Sequence, residues 1–162
     1  PRGLKRELLI NDKHRAGTEY ARNFQDREFH KNLSADALVT ILKNNTASPW
    51  NETKTRAYRE AFERSDIKAM LNYYRQNYNP QLQEKAPLPY VDSSPIVKVQ
   101  APVLIFHGLG DTALHHHALN NTWEWVEKDL TIVTLPEAGH WVHHDEAELV
   151  SATLHDWLRR HP

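Results

Sequence analysis

Cysteine is absent from this sequence, which excludes several whole classes of protein. A chain without cysteine forms no disulfide scaffold, offers no thiolate nucleophile and binds no zinc or iron–sulfur cluster through sulfur. Long apolar runs are also missing, since none approaches the roughly 18 residues that a membrane span requires. We therefore expect a protein of a reducing compartment, the cytoplasm, with no membrane partner.

An excess of charge of one sign is missing as well. The 20 basic and 21 acidic side chains give a formal net charge of -1. Proteins that bind a phosphate backbone concentrate positive charge on one surface, and this balanced composition does not supply it. We therefore expect no nucleic-acid partner.

The length of 162 residues fits one globular domain, but the composition changes near Pro95. Residues 1–95 carry 16 basic and 12 acidic side chains, whereas residues 96–162 carry 4 and 9. Prolines are dense over residues 79–95, and proline at that density forbids both a helix and a central strand. We predict a helical part at 1–95 that ends in a proline-rich linker, followed by a part of different character at 96–162.

The first part shows the spacing of apolar residues that is typical of helices, with recurrence every three or four positions. The pattern predicts a helix over 12–25, a second from the N-cap Ser34 to about residue 44, a third over 52–64 and a fourth over 66–78. No stretch of this part has a convincing strand pattern.

The second part alternates the patterns of strands and helices. Continuous apolar runs predict strands at 101–106 and 130–135, and helical patterns follow them at 113–127 and 146–160. This order predicts the α/β class, with a parallel sheet covered on both faces. Because two parallel strands do not form a stable sheet alone, we expect a further piece of polypeptide to complete it.

An acid and a histidine follow the two predicted strands. Asp111 lies just past the first strand and His140 just past the second. Reactive side chains gather at the carboxyl ends of parallel strands, and a carboxylate there can fix the tautomer of an imidazole and stabilise the imidazolium. Taken singly, a glycine-flanked aspartate is more often a turn former. Their joint placement favours an acid–base pair of a hydrolytic site.

The motifs around these residues resemble those of a known fold. The segments VQAPVLIFHGLGDTAL, with Asp111, and LPEAGHWVHHD, with His140, are similar to the acid and histidine segments of α/β-hydrolases. The helical part resembles the cap of the epoxide hydrolase branch, with Tyr20 in YARNFQ and Tyr74 in LNYYR. The resemblance implies a partial α/β-hydrolase fold: a helical cap, or lid, at 1–95, then the last strands and helices of a parallel sheet at 96–162.

The resemblance also implies roles for these residues. In that family two cap tyrosines donate hydrogen bonds, and at least one proton, to the epoxide oxygen, and these match Tyr20 and Tyr74. A phenol with its usual pKa of about 10 can do this without being ionised at neutral pH. Periodicity alone favours a packing role for both tyrosines. Tyr73 and Trp141 are the candidates for further contacts with substrate.

The nucleophile that the resemblance implies is not found in this sequence. It sits on a strand-to-helix turn with glycine two residues before and two after, and none of the five glycines brackets a serine or an aspartate in this way. The family places this turn before the cap. The expected partners are therefore an N-terminal part of the hydrolase core and a small epoxide, and a homodimer stays possible. We expect these residues alone to be inactive.

Two alternatives stay open beside this interpretation. A haloalkane or haloacid dehalogenase, or an ester hydrolase, has the same fold, and the tyrosine pair distinguishes an epoxide hydrolase from these. A dinucleotide-binding module is suggested by the G-x-G-x-x-A match that starts at Gly108, with Glu137 beyond the next strand as the ribose-binding acid.

Eleven histidines, with clusters at 115–117 and 143–144, raise the question of a metal site. Adjacent histidines on a helix point in different directions, and the usual spacing of a zinc-binding helix is absent. We therefore predict neither a metal nor another cofactor.

Overall fold

The structure, a computed structural model, describes residues 2–77 and 95–162. Over the first of these ranges the chain is helical, with one 3-10 turn at Phe29–Asn32 between the third and fourth helices. The helices are α1 (Arg2–Ile10), α2 (Asp12–Gly17), α3 (Glu19–Asn23), α4 (Ala35–Asn44), α5 (Glu52–Glu63), α6 (Ile67–Met70) and α7 (Asn72–Asn77).

Side-chain caps fix the start of several helices. Asn11, Ser34, Asn51 and Asp66 each accept a hydrogen bond from a backbone N–H in the first turn of the helix that follows. The predicted N-cap Ser34 and the predicted helices that became α4 and α5 are confirmed to within one residue.

Two other predicted helices are broken, and in both an arginine side chain binds a carbonyl near the break. The helix predicted over 12–25 stops at Thr18, and the guanidinium of Arg22 binds the carbonyl of Arg15 at 2.7 Å. The helix predicted over 66–78 stops at Leu71, and the guanidinium of Arg75 binds the carbonyl of Lys68 at 3.1 Å. Each arginine thus binds a carbonyl that a continuous helix would use for its own hydrogen bonds. Residue 78 and the linker at 79–94 lie outside the described residues.

Helix α1 was not predicted, and it packs against the second part of the chain. Its Gly3 crosses the backbone of Ala118 so closely that a Cβ atom would lie 1.9 Å from the carbonyl oxygen. Its Arg6 donates hydrogen bonds to the carbonyls of His117 and Asn120. The buried Glu7 is held by Arg6 and by Asn11.

The second part contains a parallel pair of strands, as predicted. Strand β1 (Val103–Gly108) pairs in register with β2 (Leu130–Leu135), so that Gly108 lies opposite Leu135 where both strands end. Helices α8 (Val142–Asp145) and α9 (Ala147–Arg160) follow β2, and α9 packs on β1. The predicted last helix is therefore confirmed.

The helix predicted over 113–127 is wrong. The crossover between β1 and β2 contains two 3-10 turns, His116–Leu119 and Thr122–Trp125. Asn120 and Asn121 separate them, and Asn121 lies in the left-handed region at φ 65°. Asparagine tolerates this backbone conformation better than other residues with a side chain. Arg6 also binds two of the carbonyls that a continuous helix would use.

Apolar surface remains open on this part of the fold. The strands are only half-buried along most of their length, and Leu149, Leu154 and Leu158 of α9 are exposed. The prediction that another piece of polypeptide completes the sheet stays a prediction, and these open faces fit it. In the ranges that the structure describes, no helix has the length and apolar character needed to cross a membrane.

We predict that Gly108→Ala destabilises the fold more than Gly110→Ala. A Cβ atom at Gly108 would lie 2.2 Å from the Gly139 carbonyl oxygen and 2.3 Å from that of Ala138, whereas one at Gly110 meets Ala138 at 3.0 Å. Overpacking of this kind costs about 1–3 kcal/mol. Urea denaturation of the complete protein measures the loss of unfolding free energy in both variants. Equal losses would contradict the closer backbone contact at Gly108.

Candidate active site

The loops that follow β1 and β2 bring Asp111 and His140 into direct contact. Nδ1 of His140 lies 2.8 Å from Oδ2 of Asp111. Because an ionised carboxylate can only accept, the proton of this hydrogen bond belongs to Nδ1. In the neutral ring Nε2 then carries the free lone pair, which is what a general base needs.

Asp111 is held as an anion by its surroundings. Its side chain is only 5% exposed, and Oδ1 accepts hydrogen bonds from the amides of Ala113 at 2.8 Å and Leu114 at 2.9 Å. Burial alone would raise the pKa of Asp111. The hydrogen bonds from His140 and from the two amides outweigh burial, so the pKa lies below its usual value. Both oxygens of the carboxylate are thus occupied in a defined orientation.

The loop of His140 is fixed from outside the sheet by the segment after α4. The amide of His140 donates to the carbonyl of Asn45 at 3.0 Å. The amide of Gly139 donates to Oδ2 of Asp145 at 2.8 Å, and the other oxygen of Asp145 accepts from the amide of Ser48 at 2.8 Å. Asp145 therefore joins the histidine loop to the loop at 45–48.

Asp145 was not predicted as a site residue, although it follows the Gly-His motif closely in the sequence. Burial would raise its pKa, but the amides of Ser48, Ala47 and Gly139 lower it more, so the net pKa lies below the usual value. No sequence signal indicated that the loop after α4 reaches this aspartate.

The two candidate tyrosines also lie together. The ring centroids of Tyr20 and Tyr74 are 5.9 Å apart with an interplanar angle of 84°, and both rings contact the buried Phe24. Gln25 donates to the backbone carbonyl of Tyr74 at 3.0 Å, which ties the end of α3 to α7. Burial, with a smaller contribution from Tyr73, raises the pKa of Tyr74. Its phenol therefore remains a neutral hydrogen-bond donor.

The two candidate substrate contacts differ in their surroundings. The ring of Trp141 stands edge-on to that of His140 at 4.9 Å, and Trp141 is the N-terminal neighbour of α8. Tyr73 contacts the ring of Tyr74 at 5.4 Å, but it is 68% exposed. The structure thus places Trp141 against the acid–histidine pair and Tyr73 at the edge of the tyrosine pair.

The three histidines at 115–117 come together, contrary to the expectation that adjacent rings point apart. They lie around a 3-10 turn with ring centroids 4.3 to 4.8 Å apart, and their ligand atoms all lie within 4.8 Å of one another. An ion bound to histidine at the usual distance would hold two ligand atoms within about 4.2 Å. The prediction of no metal stays a prediction.

The dinucleotide alternative requires a helix whose N-terminus receives the pyrophosphate directly after the glycine-rich turn. After Gly108 the chain turns back on Asp111, whose carboxylate accepts the amides of Ala113 and Leu114. The next regular element is the 3-10 turn at His116–Leu119. The structure therefore lacks, in this fully described segment, the helix that such a module needs.

Comparison with known proteins identifies the fold. No protein-family model and no curated protein matches the chain. A mutant of an epoxide hydrolase from Bacillus megaterium matches with a TM-score of 0.76 and 23% sequence identity, over 97% of this chain and 56% of that chain. A Bacillus megaterium epoxide hydrolase in complex with an inhibitor gives a TM-score of 0.75 with the same identity and coverage. A structure described as a novel epoxide hydrolase of the alpha/beta hydrolase superfamily, from metagenomes of hot environments, gives 0.66 at 23% identity, over 96% and 54%.

These similarities confirm the predicted fold class, a partial α/β-hydrolase fold. The chain spans 54–56% of the length of these solved structures. At 23% identity the similarity establishes the fold and not the activity.

Asp145→Asn should loosen the loop that carries His140. The asparagine side chain turns an amino group towards one of the two amides that Asp145 binds, so one N–H loses its acceptor at a cost of about 1–3 kcal/mol. Urea denaturation of the complete protein at neutral pH measures this loss. Asp156→Asn, at an exposed carboxylate, is the matched control and should change stability by less than about 0.5 kcal/mol.

The same measurement has an expected pH dependence. The pKa of Asp145 is lowered in the folded state. Its contribution to the free energy of unfolding is therefore fully present above the unfolded pKa of about 3.9, and it is lost as the pH falls through the folded pKa. The difference between wild type and Asp145→Asn should therefore shrink as the pH falls below about 4. A difference that is independent of pH would contradict this role.

Proposed function

We propose that this chain is the cap and the acid–histidine segment of an enzyme that opens an epoxide to a diol through an aspartyl-ester intermediate. The contact between Nδ1 of His140 and Oδ2 of Asp111 carries the proposal, because it leaves Nε2 unprotonated to activate water. The tyrosine pair and the names of the solved structures with the same fold support an epoxide as the substrate.

The first chemical step needs a nucleophile that we assign to an N-terminal part of the hydrolase core. An aspartate of that part attacks one epoxide carbon, so that an ester bond forms and the ring C–O bond breaks. Tyr20 and Tyr74 donate hydrogen bonds to the epoxide oxygen, and one of them transfers its proton as the charge develops. The raised pKa of Tyr74 fits a donor that stays protonated before this step.

The second step hydrolyses the ester. Nε2 of His140 takes a proton from water, and the hydroxide attacks the ester carbonyl. Asp111 stabilises the imidazolium that forms. The ester C–O bond then breaks, and the proton of the added hydroxyl passes to the leaving oxygen, so that a carboxylate and the diol result. The proton on His140 returns to the tyrosine that gave one up. Trp141 lines the substrate path beside the acid–histidine pair, and Tyr73 lines it beside the tyrosine pair.

The partner in this account is a polypeptide that covers the open faces of β1 and α9. The exposed leucines of α9 and the share of the solved structures that this chain spans both support it. A small epoxide is the substrate, and we place the enzyme in the cytoplasm. A dehalogenase of the same fold has no need of two neighbouring phenols, so the tyrosine pair favours the epoxide.

Replacement of the two tyrosines by phenylalanine tests their role as donors to the epoxide oxygen. In the complete protein, Tyr20→Phe and Tyr74→Phe should each slow ester formation from an aryl epoxide by about 100-fold, because each removes one donor to the developing charge. The double change should nearly abolish the step. Rapid-quench kinetics measure it.

Tyr58→Phe is the matched control, because the Tyr58 hydroxyl bonds Nε2 of His144 at 2.7 Å and serves no step of the mechanism. It should leave ester formation close to the wild-type rate. Unchanged turnover of the epoxide by the double variant would contradict the role of Tyr20 and Tyr74 as donors to the epoxide oxygen, even if the fold and the acid–histidine pair were intact.

His140→Gln separates the two steps. The variant has no base for the water, so the complete protein should form the ester and fail to hydrolyse it. Intact-mass spectrometry after addition of an epoxide should therefore show an adduct of the mass of the substrate. If the variant carries no adduct while the wild type turns over the same epoxide, the ester mechanism is wrong.

A further inference from the structure

Helix α2 packs directly on the loop that carries Asp111. His14, on α2, is only 1% exposed, and its Nδ1 accepts a hydrogen bond from the amide of His115 at 3.0 Å. Gly17, at the end of α2, lies so close to the loop that a Cβ atom would be 2.0 Å from the carbonyl oxygen of Thr112. The helix and the loop therefore touch at two points, Thr112 and His115, which lie on either side of the amides that Asp111 binds.

The bond to His115 defines the state of the His14 ring. Since an N–H donates to Nδ1, this nitrogen is unprotonated and the neutral ring carries its proton on Nε2. Burial, the largest influence, lowers the pKa of His14, and the nearby Glu7 and Asp111 act in the opposite direction without reversing it. His14 is thus a neutral acceptor at neutral pH.

Three successive amides of the loop are bound in this arrangement. Asp111 accepts the amides of Ala113 and Leu114 through its own Oδ1, and His14 accepts the next one, that of His115. The first two bonds fold the loop on itself but do not fix it relative to the rest of the protein. The third joins the loop to a buried side chain of a different helix.

We infer that His14 is a positioning residue, which holds the loop so that Oδ2 of Asp111 meets Nδ1 of His140. This inference rests on the proposed function for its effect on catalysis. Loss of the acceptor would leave a part-buried amide unpaired and free the loop to move, and a displacement of 1 Å at a catalytic group can cost about 100-fold in rate.

A simpler role would be to fill space under the loop, and two substitutions distinguish the roles. His14→Asn places an amide oxygen where Nδ1 stands and keeps the acceptor. His14→Leu has the same branching at Cγ and nearly the same size but has no acceptor. If His14 only fills space, His14→Leu should be the milder change. If His14 positions the loop, His14→Asn should be the milder change.

The experiment measures both variants in the complete protein. The hydrolytic step, followed by single-turnover kinetics with an epoxide, should slow by about tenfold or more in His14→Leu and by much less in His14→Asn. Proton NMR reports the geometry without substrate, because the Nδ1 proton of His140 is shifted downfield by its bond to Asp111. This signal should persist in His14→Asn and weaken or vanish in His14→Leu.

A change at the donor gives an independent test if His14→Leu does not fold. His115 has φ -65° and ψ 134°, a conformation that proline adopts without strain, so His115→Pro removes the N–H and leaves His14 in place. His115→Ala keeps the N–H and is its control. The proline variant should reproduce the loss of the NMR signal, and the alanine variant should not.

The outcomes distinguish this inference from the proposed function. An NMR signal that is unchanged in His14→Leu or in His115→Pro would overturn the positioning role, whatever the activity. A signal that responds as described, in a protein that hydrolyses no epoxide, would support the positioning role and reject the epoxide as substrate.

Discussion

The hydrogen bond between Asp111 and His140 is the interaction on which the rest of the site depends. Its two partners lie on different loops, at the ends of the paired strands β1 and β2, and a 2.8 Å contact tolerates little movement of either loop. The sheet brings the loops near each other because parallel strands end at the same edge. Strand pairing alone does not set the positions of the side chains beyond that edge.

Helical elements from the first part of the chain supply the remaining constraint. The histidine loop is bound by the carbonyl of Asn45 and, through Asp145, by the amide of Ser48. The acid loop is bound by His14 of α2. The first part of the chain is therefore more than a cover over the candidate site, because hydrogen bonds with Asn45, Ser48 and His14 hold both of these loops. The same part of the chain presents the Tyr20 and Tyr74 pair.

Local sequence signals predicted the elements that local interactions determine. The strands are continuous apolar runs, and the helices with the clearest caps, such as the one after Ser34, begin where the sequence indicates. The crossover and the role of Asp145 were not predicted, and both involve contacts over longer distances along the chain. Arg6 binds carbonyls of the crossover more than a hundred residues away, and Asp145 bonds to Ser48 across a similar distance. Periodicity contains no information about such pairs.

Solvent labelling of a single turnover is the most direct test of the aspartyl-ester mechanism. If an aspartyl ester forms and His140 directs water to its carbonyl, the complete protein, in excess over an epoxide in oxygen-18 water, should release a diol without label. The heavy oxygen should then be found in the carboxylate of the nucleophile. A diol that carries the label in this first turnover would mean that water attacks the epoxide directly, and it would contradict the account of Asp111 and His140 given above.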